Sequence, residues 1–134
     1  MMRKGLLPVS IVVLYLLSAC QESKMERFER ETKDFTERNC QKKCDAITVL
    51  DSLVFHDDGT MDYKYYYSVE LTSEEESLFM GQLEKLRAEC LDGIRNSVEL
   101  KNVKAAGLNI VLSYHEKGSQ KKLAEFRYGK EDYQ

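Results

Sequence analysis

Between Met61 and Leu71 the chain alternates without a lapse. Met61, Tyr63, Tyr65, Tyr67, Val69 and Leu71 fall on one side of an extended backbone, and Asp62, Lys64, Tyr66, Ser68 and Glu70 on the other. Successive side chains of a strand point to opposite faces, so this stretch predicts a strand with one apolar, aromatic face and one wet face. Such a strand needs paired neighbours and a covering layer before it is stable. Its first neighbour is legible just upstream, where residues 46–55 run β-branched and apolar (Ile47, Thr48, Val49, Leu50, Leu53, Val54, Phe55). Between the two, His56-Asp57-Asp58-Gly59-Thr60 supplies turn chemistry, with Gly59 free to take positive φ. The pair predicts a β-hairpin.

The covering layer follows. Thr72 and Ser73 with Glu75 and Glu76 form a capping-box start, and Leu78, Phe79, Leu83, Leu86, Cys90, Leu91, Ile94 and Val98 keep helical spacing. A second cap signal at Asn96 and Ser97 opens a short helix ending at Gly107. Leu108, Ile110, Leu112 and Tyr114 then alternate with Asn109, Val111, Ser113 and His115, a turn occupies residues 116–120, and Ala124, Phe126 and Tyr128 mark a fourth strand. Ahead of the first hairpin, Met25, Phe28 and Phe35, with Thr32 between the phenylalanines, recur at helical intervals amid dense charge. That helix could lie against the domain or form a charged stalk. The expectation is an α+β fold: a four-stranded antiparallel sheet from two β-hairpins, a central helix on one face, and an N-terminal amphipathic helix.

The first twenty residues have a different character. Arg3 and Lys4 precede an apolar run from Gly5 to Leu17, broken only by Pro8 and Ser10, and small residues lead to Cys20. This is the three-part layout of a secretory signal peptide. Crossing a bilayer takes about 18 to 20 apolar residues, more than this run supplies. Leu17-Ser18-Ala19-Cys20 resembles the lipobox of bacterial lipoproteins. The resemblance implies diacylglyceryl transfer to Cys20, cleavage before it, and acylation of the new amino terminus. Two or more acyl chains hold a protein to a membrane stably. The residue after the cysteine is Gln21 rather than the aspartate that marks inner-membrane retention, which points to the outer membrane. The chain therefore divides into a removed signal peptide (1–19), an anchor with its amphipathic helix or tether (20–45), and a single α+β domain (46–134).

Charge and motifs narrow the function. Removing Arg3 and Lys4 from the 20 basic residues leaves 18 against 23 acidic ones, which argues against nucleic acid or an anionic lipid surface as partner. There is no glycine-flanked nucleophilic serine, no His-Glu-x-x-His and no phosphate loop, so no cofactor is expected. Cys40, Cys44 and Cys90 remain besides the anchor, and an exported chain can be oxidised. Cys44 with Cys90 would tie the chain before the sheet to the central helix, whereas Cys40 with Cys44 would need irregular backbone. Cys40 and Cys44, with Cys90 and one histidine, would make an incomplete zinc set. Tyr63, Tyr65, Tyr66 and Tyr67 form a candidate ligand surface, and Tyr63, Tyr65 and Tyr67 serve equally as a core face under the helix. The expected function is a lipid-anchored, non-catalytic envelope module that binds a protein or envelope polymer. The alternative is a small hydrolase or thiol-redox enzyme using Cys40, Cys44, His56 or His115.

Laid out this way, Leu50-Asp51-Ser52-Leu53, Lys64-Tyr65-Tyr66-Tyr67, Asn96-Ser97-Val98-Glu99-Leu100-Lys101 and Ala105-Ala106-Gly107 resemble small lipoproteins of the Bacteroidetes type. The resemblance implies the fold and an envelope address, and no activity.

Overall fold

The computed structural model describes residues 22–134. The residues read above as signal peptide and lipobox, with the expected acylation site Cys20, lie outside the described residues. In chain order the elements are α1 (Lys24–Asn39), β1 (Lys42–Lys43), β2 (Thr48–His56), β3 (Asp62–Val69), α2 (Ser73–Gly81), α3 (Leu83–Asn96), α4 (Lys101–Ala105), β4 (Asn109–Glu116), β5 (Lys122–Tyr128) and α5 (Lys130–Tyr133).

The sheet corrects the expected four antiparallel strands. It has five strands in the order β1-β2-β3-β4-β5, and its central pair, β3 and β4, runs parallel. Both hairpins exist, β2 with β3 and β4 with β5. The physical reason for the parallel join is the connection between them. Parallel neighbours need a crossover of a dozen or more residues, and the helical stretch from Ser73 to Ala105 supplies it. The extra strand β1 adds only Lys42 and Lys43 opposite Leu50 and Val49.

The single central helix is also corrected. The capping box forms as read, with the Glu75 N–H donating to Thr72 Oγ1 and the Thr72 N–H to Glu75 Oε1. The helix then breaks at Gln82, whose φ of −113° and ψ of 12° end α2 before α3 begins. Gly81, just before the break, has the weakest helix propensity of any residue but proline. No residue of α2 is buried, and Ile94 is the one buried residue of α3. The helical cover over the sheet is therefore partial.

Helix α1 lies against the sheet. Phe28 packs on Phe55 and Tyr63 at ring-centroid distances of 5.6 and 6.4 Å. Beyond β1 the edge of β2 would show unpaired backbone groups, and α1 satisfies them with threonines. Thr36 Oγ1 donates to the Leu53 carbonyl and accepts from the Leu53 N–H, and Thr32 Oγ1 accepts from the Phe55 N–H. A helix laid along a strand edge removes a site of unwanted strand pairing.

Strand β4 is buried on both faces, with Ile110, Val111 and Ser113 at 0% exposure. The alternation placed Val111 and Ser113 on the wet side. They are covered because long side chains on flanking strands, Lys64 and Arg127 beside Val111 and Tyr66 and Glu125 beside Ser113, close over them.

Candidate functional site

The inner, helix-bearing face carries Tyr63, Tyr65 and Tyr67, and the outer face carries Tyr66. On the inner face Tyr63 meets Tyr65 edge-on at 5.8 Å, Tyr65 stacks on Tyr67 at 6.2 Å, and Tyr67 stacks on Tyr114 at 5.0 Å and 14°. All three ladder tyrosines are half-buried, and burial raises the phenol pKa of each, that of Tyr63 to about 12. The ladder is thus mostly packing, and Tyr67 is the member that reaches a cavity.

That cavity is a groove of about 410 Å³ between the α2–α3 stripe and the sheet. Its floor is Tyr67 and Tyr114, its helical wall is Phe79, Gln82 and Leu86, and its strand-side wall includes Ile47 and Cys44. Asp45, Lys85 and Glu89 supply the charged rim. Asp45 is held in place by accepting from the Ile47 and Thr48 N–H groups at 2.9 and 2.7 Å. Burial opposes its ionised form, yet those hydrogen bonds outweigh it and keep the carboxyl below its ordinary pKa. Beside the groove, exposed Leu78 and Met80 flank Phe79, giving three consecutive apolar residues on a helix with only one inward face. The sequence reading missed this site, and that run is the signal that could have found it, because a docked helix can bury only one side. Tyr114 and Ile47 gave no comparable signal.

The cysteines are free thiols in distinct settings. Cys44 is exposed on the groove, and Cys40 is half-buried at the end of α1. Cys90, half-buried on α3, lies 3.9 Å from Tyr114 Oη. Burial raises the pKa of Cys90 against a weaker opposing hydrogen bond from Tyr114, and burial with nearby Asp51 raises that of Cys40. Both shifts lower the thiolate fraction, the reverse of what thiol catalysis uses. Among the described residues no three His, Cys, Asp or Glu side chains converge as a metal site.

The two histidines, separated by nearly sixty residues, flank Tyr66 on the outer face. His56 Nε2 is 2.9 Å from Tyr66 Oη, and Tyr66 stacks on His115 at 6.4 Å. His115 Nε2 is 2.8 Å from Ser113 Oγ, but Ser113 is fully buried and offers no path to a substrate. Lys64 Nζ lies 5.0 Å over the Tyr66 ring and 2.9 Å from Glu125 Oε1, which Lys122 also reaches at 3.1 Å. Tyr66 is therefore half-buried and already in contact with His56, Lys64 and His115.

This cluster carries a pH dependence. Burial raises the Glu125 pKa, but the hydrogen bonds from Lys64 and Lys122 overcome it and set the carboxyl below its ordinary 4.5. A carboxylate with a lowered folded pKa stabilises the fold above its unfolded pKa, and that contribution disappears as pH falls through the folded value. Melting temperature should accordingly drop as pH falls below about 4.5, with a shallower drop for Glu125→Gln, measured by thermal melts in a buffer series.

A family model for a domain of unknown function, DUF8479, matches residues 23–124. No curated protein matches the sequence. Among solved structures, a Pseudomonas aeruginosa protein, described in provisional terms as secreted, superposes with a TM-score of 0.67 at 10% identity, covering 85% of this chain and 100% of its own. At that identity the likeness speaks for the fold alone.

Proposed function

The chain belongs to the DUF8479 family of domains of unknown function, and from that footing we propose that it is a lipid-tethered cell-envelope module that binds a partner in the groove floored by Tyr67 and Tyr114. The tether reading rests on the lipobox-like Leu17-Ser18-Ala19-Cys20 and the short apolar run before it. An exported address agrees with the provisional description of the Pseudomonas fold relative as secreted. None of the described helices is long and apolar enough to cross a membrane. Acyl chains on Cys20 would then supply the attachment, with Gln21 favouring the outer membrane.

One observation carries the binding role: the groove opens at the end of the sheet opposite the start of α1. Helix α1 starts where Phe28 meets Phe55 and Tyr63, at the end of β2 and start of β3, and runs antiparallel to β2. The groove lies at the start of β2 and near the ends of β3 and β4. From Phe55 to Thr48 the rise along β2 is about 20 Å. A protein held by residue 20 thus presents the groove away from the bilayer. The aromatic floor of half-buried Tyr67 and buried Tyr114, with partly docked α2 beside it, offers a surface for association without a catalytic constellation.

The test is a photo-crosslinking residue placed in cells at Leu86, in the groove, or at Asp57, at the tether end. A discrete adduct specific to position 86, recovered with membranes, is the expected result. Identical adducts at both positions would overturn the groove. In parallel, Cys20→Ser should leave the membrane fraction, and its continued sedimentation with membranes would overturn the tether.

A further inference from the structure

On the other side of Ile47, which lines both, lies a second depression of about 330 Å³ lined by Ala46, Ile47, Glu70, Leu71, Thr72 and Glu75. The carboxylates lining the two together are Asp45, Glu70, Glu75 and Glu89, against one lining cation, Lys85, which reaches Glu89 only at 4.0 Å. Lys117 approaches Glu70 from outside at 3.7 Å, with both side chains mostly exposed, and Lys121 reaches Glu76 at 3.4 Å. Helix α2 itself carries Glu74, Glu75 and Glu76 and no base. The centre of this trough is apolar and aromatic (Ile47, Leu71, Phe79, Leu86, Tyr67, Tyr114).

Resting on the reading of the groove as a binding site, we propose that its occupant is a cationic polypeptide segment that alternates basic and aliphatic side chains. An apolar centre selects side chains that leave water, and the negative rim rewards lysine or arginine placed beside them and penalises like charge. Anionic polymers meet the same rim as repulsion. Glu89 lines the first depression and Glu75 the second, and acidic groups at both suit a segment that reaches from one to the other better than a compact ligand.

The experiment uses the full acylated chain in nonionic detergent and three labelled five-residue probes, read by fluorescence anisotropy. The probes alternate lysine with leucine, lysine with serine, and glutamate with leucine. The lysine–leucine probe should bind, weakening with added salt, and the other two should bind at least about tenfold less. Glu70→Gln with Glu89→Gln should weaken the lysine–leucine probe by about tenfold, about 1.4 kcal/mol. Equal binding of the glutamate–leucine probe, or no change in the double variant, would overturn the proposal. A position-86 adduct in cells with no preference for the cationic probe removes the partner class and leaves the tethered module standing. Absence of that adduct removes the underlying reading.

Discussion

Phe28→Ala should destabilise the fold by about 3 to 4 kcal/mol, the range for truncating a buried phenylalanine in a packed core. Phe28 is 5% exposed and wedged between Phe55 and Tyr63, so its removal opens a cavity where α1 joins the sheet. For a domain of this size the melting temperature should fall by roughly 15 °C or more. Circular dichroism melts of the two proteins read the result directly. The prediction separates the two roles that the sequence left open for α1. A stalk merely lifting the domain would lose almost nothing on this change, whereas a helix that seals the β2 edge through Thr32 and Thr36 would transmit the loss to the whole sheet.

The second large effect is expected at the clasp across the parallel strands. Asp62 at the start of β3 is 5% exposed and accepts from Arg127 Nη1 and Nη2 at 2.5 and 2.8 Å and from Asn109 Nδ2 at 3.2 Å. It thereby joins β3 to β4 and β5. Arg127→Met leaves a buried carboxylate with one amide donor, and breaking a buried pair this way costs up to about 3 to 5 kcal/mol. Arg127 is half-exposed, so water can compensate in part and a loss of about 2 to 3 kcal/mol is expected. Adding Asp62→Asn should restore most of it, because the stranded charge is gone. Urea unfolding of the parent, both single variants and the double variant completes the cycle. Additive losses in that cycle would show that the pair is not the clasp described.

The two faces of the sheet divide the candidate chemistry. Outer-face groups spend their polarity on each other, as His56 with Tyr66, His115 with Ser113, and Lys64 and Lys122 with Glu125. Inner-face groups leave a groove because α2 is capped and formed yet buries no side chain. A sheet whose helical cover is broken at Gln82 keeps a place where a partner's side chains can replace missing core.

Much of the local order along the chain, though neither the break at Gln82 nor the short strand Lys42–Lys43, was available to inspection of the residues. Alternation from Met61 to Leu71 defined β3 and its faces, Gly59 defined the first turn, where its φ is 96°, and Thr72 with Glu75 defined where α2 begins. These follow from periods and caps that operate over a few residues. Direction and adjacency do not: whether β4 lies parallel to β3 depends on how the crossover from Ser73 to Ala105 folds back, which no local period encodes. Likewise His56 and His115 meet around Tyr66, and Tyr67 meets Tyr114, only because that parallel register aligns them. Residues decided what each segment could be, and the long-range pairing decided which side chains would share a site.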